Sequence, residues 1–96
     1  MKALIKSPGD ESFREIIVPY KMKTFQELVG GYAEVVMLGA DACVLCNEEG
    51  RIKGLDHNCT YSGIDYVGTI LIVGVDGEDF CDCPISVAMA NGGIGA

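Results

Sequence analysis

The chain has 96 residues and a net charge of −7, from 14 acidic and seven basic side chains. This length is about one domain. The acidic balance disfavours binding to a nucleic acid polymer, because such binding draws most of its affinity from phosphate neutralisation by Lys and Arg. The apolar run at residues 67–75 is too short to span a bilayer. We therefore expect a soluble, cytoplasmic protein without a membrane or nucleic acid partner.

The first part of the chain predicts two strands and a short helix. Residues 2–6 and 13–18 are predicted as the strands of one hairpin, joined by a turn that contains Pro and Gly. A helix follows at Thr24, whose side chain caps one amide while Glu27 reaches back to another, as in a capping box. Gly30 gives this helix a left-handed stop. A helix of about two turns is not stable alone, so we expect it to dock on the sheet.

The middle of the chain predicts the centre of a sheet. Residues 33–38 and 42–46 are predicted as two strands, and residues 51–55 as either a short strand or one helical turn. Residues 56–65 are predicted as a polar loop. Residues 66–75 are the clearest strand of the chain, and their apolar character on both faces is typical of a central strand.

The end of the chain predicts a turn, a return strand and a tail. Asp76-Gly77 is a strong signal for a tight turn, and residues 80–83 are predicted as a short return strand. We predict one α+β domain over residues 1–84, with a small, mainly antiparallel or mixed sheet and one docked helix. Residues 85–96 are predicted as a short helical turn and a flexible, Gly-rich tail.

The five cysteines are expected to be free thiols, because their number is odd and no secretory signal is recognised. Cys43 and Cys46 have the spacing of metal and redox sites, yet residues i and i+3 of a strand point to opposite faces. Buried cysteine behaves as a small hydrophobe. Structural packing is therefore the favoured interpretation, and a metal or redox site is the alternative. We assign no metal site and no cofactor.

The sequence contains no recognised catalytic constellation. His57 is the only histidine, and a histidine that acts as a general base needs a nucleophile or a carboxylate within reach. Asp56 adjoins it in sequence, but neighbours on a loop need not face each other. We predict that the protein is not an enzyme, and we assign no catalytic residue.

Two pairs of basic residues are candidates for binding phosphate. The first pair precedes a helix N-terminus, which presents free amides and the positive end of the helix dipole. The second pair occupies alternate positions, which share one face if the segment is a strand. The candidate ligand-binding residues, together with two tyrosines that would stack on a base, are Lys21, Lys23, Arg51, Lys53, Tyr20 and Tyr61. The alternative is scattered surface charge, with tyrosines that belong to the core or its rim.

Two acidic turns are candidates for contact with a protein. Glu48 and Glu49 lie in one turn, and Glu78 and Asp79 lie in the other. Solvated loop charge is the favoured interpretation. Contact with the basic surface of a partner is the alternative, because complementary charge steers and selects partners.

Three segments of the chain resemble a known family in the same order. They are Glu-Leu-Val-Gly-Gly-Tyr at residues 27–32, Cys-Asn-Glu-Glu-Gly at 46–50 and Ile-Val-Gly-Val-Asp-Gly-Glu-Asp-Phe at 72–80. Over residues 1 to about 80, the chain resembles the domain-of-unknown-function family three-eight-four-six, which is common in phages, plasmids and conjugative elements. The resemblance implies a mobile-element setting and transfers no catalytic residue. It departs at the end, where members usually continue into a charged helix.

Three functional hypotheses follow from these observations. The first is a non-enzymatic, homo-oligomeric phage or mobile-element protein that sequesters a small nucleotide-derived host immune signal, such as a cyclic ADP-ribose derivative, in a pocket between subunits. It rests on an analogy of size and setting with phage proteins that act against host defences. The second is an acidic protein-interaction module, an inhibitor or adaptor that occludes a basic surface. The third is a cysteine-based metal or redox protein.

Overall fold

The computed structural model describes residues 1–96 and contains eight strands and three short helices. The strands are β1 Lys2–Lys6, β2 Arg14–Ile17, β3 Ala33–Met37, β4 Ala42–Asn47, β5 His57–Tyr61, β6 Ile64–Val67, β7 Ile70–Asp76 and β8 Asp79–Cys81. The helices are α1 Met22–Val29, α2 Gly50–Lys53 and α3 Val87–Gly92. None of these helices has the length and apolar character that a bilayer crossing requires.

Strand β7 is the centre of the main sheet, whose order is β2-β1-β7-β4-β3. One edge of β7 pairs with β4, and the other pairs first with β1 and then with β8. Every pairing is antiparallel. The predicted α+β class and the predicted central strand are therefore confirmed, although β7 begins at Ile70 and not at residue 66.

The sheet is covered on both faces because its central strands are apolar on both sides. Ile70 and Ile72 of β7 face one core, and Leu71 and Val73 face the other. Helix α1 covers the second core with Phe25 and other apolar residues of its inner face. The β5–β6 hairpin and α3 cover the first core. Each short element gains its stability from this docking and not from its own length.

The β5–β6 hairpin occupies the segment that the sequence predicts as a polar loop, so that prediction is wrong. Its two-residue turn, Ser62 and Gly63, has positive φ at both positions, 50° and 80°, as a tight hairpin turn requires. Buried Asn58 is polar, yet its side-chain amide donates to the backbone oxygens of Lys6 and Gly68 at 2.8 Å each. Polar residues such as Asn58, which hydrogen-bond to groups distant in sequence, interrupt the apolar alternation from which a strand is predicted.

The predicted capping box of α1 is also wrong. The helix begins at Met22 after an extended Lys21, and no side chain caps it. Thr24 therefore lies within the first turn, where its backbone amide donates to the Lys21 oxygen at 3.0 Å. The predicted stop is confirmed, because Gly30 adopts the left-handed conformation with φ of 83°.

The last twelve residues, 85–96, pack on the same domain. Helix α3 is capped by Ser86 Oγ, which accepts a hydrogen bond from the Met89 amide at 3.1 Å. Beyond the helix, Ile94 forms a bridge with Tyr61, and the Gly95 amide donates to the Thr60 oxygen at 2.7 Å. This segment therefore extends the edge of the β5–β6 hairpin.

Candidate functional site

A cleft of about 420 Å³ opens between strand β3, the turn into α2 and strand β6; we call it the β3 cleft. Its floor is the face of β3 and β4 that also carries the hairpin. It is lined by Glu34, Val36, Cys46, Asn47, Glu48, Glu49, Gly50, Arg51, Ile52, Ile64, Asp65, Tyr66 and Val67. Three chain segments that are separated in sequence therefore meet around one cavity.

The turn at one wall of the β3 cleft is held in place by Asn47 at the end of β4. Its side-chain amide donates to the Val29 oxygen at 3.1 Å, and its Oδ1 accepts from the Glu49 amide at 2.8 Å. The Glu48 amide donates to the Tyr32 oxygen at 2.8 Å. These bonds fix the backbone of the predicted acidic turn against the end of α1 and the start of β3.

The β3 cleft is strongly acidic, because four carboxylates line it beside a single guanidinium. Arg51 is already engaged: its Nη2 donates to the backbone oxygen of Asp65 at 2.6 Å and lies 3.9 Å from the Asp65 carboxylate. Glu34, Glu48 and Glu49 form no ion pair. The cavity therefore presents three exposed negative charges that no cation of the chain neutralises.

One wall of the β3 cleft contains a buried hydroxyl without a hydrogen-bond partner, that of Tyr66. The residue is only 3% exposed, and burial raises the pKa of this phenol to about 12. A buried polar group that lacks a partner costs free energy.

A buried thiol lies on the floor of the β3 cleft. Cys46 Sγ is 3.8 Å from Glu34 Oε1. Burial, and secondarily the Glu34 carboxylate, raises the pKa of Cys46 to about 11. Because the thiolate is the nucleophile and the metal ligand, this thiol is protonated and unreactive at neutral pH.

The structure does not bring the four predicted cations together within one chain. Lys21 and Lys23 lie at the start of α1, whereas Lys53 Nζ lies against Gly31, just after its end. An eight-residue helix is about 12 Å long. Arg51 and Lys53 also do not share a strand face, because the segment is helical and residues i and i+2 of a helix diverge.

The two predicted stacking tyrosines pack on rings of two different core clusters, on opposite faces of the sheet. Tyr20 packs at centroid distances of 6.5 Å from Phe25 and 6.2 Å from Phe80, and its hydroxyl accepts from the Phe80 amide at 3.1 Å. Tyr61 is 6% exposed, and its ring meets Phe13 edge-on at 5.5 Å. Tyr61 thus belongs to the core and not to a loop surface.

Comparison with protein families gives a clear result. The family described as a domain of unknown function, DUF3846, matches residues 1–89. The chain belongs to this family. The match confirms the predicted resemblance to this family, and it continues past residue 80 into α3. No curated protein and no solved structure matches the chain, so a function for this DUF3846 domain has to be argued from its own geometry.

The cysteine pair of this DUF3846 domain is divided by the sheet. Cys43 belongs to the core under α1, and Cys46 belongs to the core under the hairpin. Burial raises the pKa of Cys43 to about 11 as well. The strand alternation that the sequence indicates is confirmed, and the two thiols cannot ligate one ion from opposite faces of a strand.

Three residues of the β3 cleft were not recognised from the sequence as site residues: Glu34, Asp65 and Tyr66. Glu34 is the one charged position of β3 and shares a face with Val36, which is a signal that the strand alternation contains. Asp65 contacts His57 Nε2 through Oδ1 at 2.6 Å across the hairpin. That contact was hidden because the hairpin itself was predicted as a loop.

Proposed function

We propose that this DUF3846 domain is a protein-interaction module that binds a basic side chain of a partner in the β3 cleft. The observation that carries the proposal is the unneutralised charge of Glu34, Glu48 and Glu49 around a cavity whose single guanidinium already binds Asp65. Opposite charges at an interface raise the association rate and exclude wrong partners. The net charge of −7 acts over a longer range in the same direction.

The remaining lining of the β3 cleft suits the long side chain of an arginine better than a bare cation. Val36, Ile52, Ile64 and Val67 offer apolar surface for the aliphatic stem. The guanidinium has five donors in a planar fork, which match carboxylates in pairs.

Capture of a small nucleotide by a homo-oligomer, in a phage or mobile-element setting, stays a prediction. The carboxylates of the β3 cleft repel phosphate, and the predicted cations lie at opposite ends of α1. A nucleotide site would therefore need a second subunit to bring Lys21 and Lys23 beside Arg51 and Lys53. No side-chain arrangement of the single chain favours it over the acidic cleft.

The proposal is tested by titrating the ¹⁵N-labelled protein with N-acetyl-arginine amide, with its uncharged isostere N-acetyl-citrulline amide, and with a cyclic ADP-ribose. We expect chemical-shift changes at residues 46–52 and 64–67 with the arginine compound alone, and a loss of affinity as salt is added. No shift at millimolar arginine compound would contradict the proposal. Shifts at Lys21 and Lys23 with the nucleotide would favour the first hypothesis instead.

A matched pair of variants locates the charge that matters. Glu48→Gln/Glu49→Gln removes two charges from the β3 cleft, and Glu78→Gln/Asp79→Asn removes two from the other acidic turn. We expect the first pair to weaken binding of N-acetyl-arginine amide by about tenfold, which equals about 1.4 kcal/mol, and the second to leave it unchanged. Equal effects of the two double variants would show that binding depends only on the net charge of the protein and not on the β3 cleft.

A further inference from the structure

Strand β3 is an edge of the main sheet, and nothing pairs with its outer side. The sheet order ends at β3, whose five residues pair continuously with β4 and contain no bulge. Natural edge strands are commonly protected by Pro, Lys or a bulge. The sequence Ala-Glu-Val-Val-Met has no proline, lysine or bulge, and its one charged side chain, Glu34, lies on the face of the β3 cleft. This edge is therefore open to pairing with another strand.

The backbone groups that point outward from β3 follow from two hydrogen bonds. The Leu38 amide donates to the Ala42 oxygen, and the Tyr32 oxygen accepts from the Glu48 amide, each at 2.8 Å. Hydrogen-bonded pairs alternate along an antiparallel ladder, so the two even-numbered residues between them, 34 and 36, also bond to β4. The amides and carbonyls of the odd-numbered residues 33, 35 and 37 point to the free edge.

The side chains of β3 divide in the same alternation. Val35 and Met37 lie on the α1 face and are 47% and 49% exposed, although both are apolar. Glu34 and Val36 lie on the opposite face and line the β3 cleft. A strand added to this edge would therefore place one row of side chains beside Val35 and Met37 and the other row at the mouth of the acidic cleft.

We propose that β3 accepts an extended segment of a basic partner protein, in which basic and apolar side chains alternate. This inference rests on the proposed function and deepens it, because it states how the partner reaches the cleft. Main-chain hydrogen bonds to the edge would supply affinity, and the two faces would supply specificity. The basic row of the segment would extend toward Glu34, Glu48 and Glu49, and the apolar row would cover Val35 and Met37.

Charge complementarity favours a basic partner over a second copy of this chain. Two copies that pair through β3 would bring the carboxylates of two β3 clefts to one junction, and each copy has a net charge of −7. Like charges at an interface repel. The opposite edge, β2, has no comparable carboxylate set, since its Glu15 is paired with Lys2 at 3.7 Å.

The test uses two peptides of identical composition, one with alternating Arg and Val and one with all Arg in a single block. We expect the alternating peptide to bind about tenfold more tightly by calorimetry. Val35→Pro removes an outward amide without removing a bond to β4, a position where an edge strand tolerates proline. Val35→Pro should therefore abolish the tighter binding of the alternating peptide. Ile17→Pro, the matched change at an outward position of β2, should preserve it.

Hydrogen exchange on the unchanged protein gives a second reading that does not depend on the folding of a variant. Bound alternating peptide should slow exchange at the amides of Val35 and Met37, which point outward, and leave those of Glu34 and Val36 unchanged. No new protection at Val35 and Met37 would overturn strand addition.

The outcomes separate this inference from the proposed function. If both peptides bind equally and Val35→Pro has no effect, the cleft senses charge alone, so strand addition is wrong and the proposed function stands. If neither peptide nor N-acetyl-arginine amide binds, both fail. If sedimentation shows a dimer of the unliganded protein that Val35→Pro dissociates, the occupant of the edge is a second copy, and the basic-partner proposal is overturned.

Discussion

Two buried polar side chains of the β5–β6 hairpin, Asn58 and Tyr66, differ in whether their polar atoms are hydrogen-bonded. Asn58 has three hydrogen bonds, two that it donates to the oxygens of Lys6 and Gly68 and one that its Oδ1 accepts from Lys6 Nζ at 2.9 Å. Tyr66 lies on the paired strand, and its hydroxyl has none. The satisfied group attaches the hairpin to the sheet, and the unsatisfied group borders the β3 cleft. The contrast separates a polar group whose hydrogen bonds hold the fold from one that the fold leaves without a partner.

The largest effect is expected at Asn58. Asn58→Leu removes the only side-chain partner of buried Lys6 Nζ and the amide that donates to two backbone oxygens. We expect the free energy of unfolding to fall by about 3 kcal/mol, because a hydrogen bond to a charged group is lost and a buried donor is left without its side-chain partner. Urea denaturation measures it. In a double-mutant cycle with Lys6→Met, the losses should be strongly non-additive; additive losses would mean that the two side chains do not interact.

Alkaline pH is expected to destabilise the protein through the thiol on the cleft floor. The pKa of Cys46 rises from 9.0 to about 11 on folding, so the folded state holds a proton that the unfolded state releases. Stability is therefore complete below pH 9.0 and is lost as pH rises through about 11. Near pH 10 the loss from this thiol is about 1.4 kcal/mol.

The control for this titration is Cys46→Val, which keeps an apolar side chain at the same position. Denaturation curves across pH 8 to about 11 should have a smaller pH slope in Cys46→Val than in the unchanged protein. Identical slopes would show that this thiol does not contribute.

Tyr66→Phe tests the other half of the comparison. Because the hydroxyl has no partner, its removal should leave the free energy of unfolding unchanged or raise it by about 1 kcal/mol. If the free energy of unfolding instead falls by more than about 1 kcal/mol, the hydroxyl is hydrogen-bonded in solution, and the contrast with Asn58 disappears.

The smallest effect is expected at Arg51, whose ion pair with Asp65 is exposed. Arg51→Gln should change stability by no more than about 0.5 kcal/mol, since exposed ion pairs contribute little. It also leaves the β3 cleft more negative, so N-acetyl-arginine amide should bind about threefold more tightly. Lys53→Gln is the matched control on the same helix, outside the cleft lining. Weaker binding by Arg51→Gln would mean that Arg51 itself contacts the ligand.

Sequence patterns predicted the sheet well where burial is simple. The segments that form β1, β4 and β7 are apolar on two faces or flanked by clear turns, so the local sequence pattern is enough to predict them. The hairpin was missed because Asn58, Thr60 and Asp65 interrupt its apolar pattern. The side chains of Asn58 and Asp65, and the backbone oxygen of Thr60, each bond to another element or another strand, which no local pattern reveals.

The candidate site was predictable only in pieces. The acidic turn at Glu48 and Glu49 is visible in the sequence, but its meeting with Glu34 and Asp65 depends on strand order and on the missed hairpin. The predicted pairs Lys21 and Lys23, and Arg51 and Lys53, lie apart in the single chain because α1 separates them, so a shared site between subunits stays a prediction.

The sequence by itself determined the α+β class, the central strand, the glycine stop after α1, the opposite faces of Cys43 and Cys46 and the family of this chain. These properties depend on periodicity and local backbone preference, which neighbouring residues specify. The tertiary structure alone decided the β3 cleft, the open edge of β3 and the difference between Asn58 and Tyr66. Those depend on which distant groups satisfy or leave unsatisfied a charge or a hydrogen bond, and only the packed fold brings those groups together.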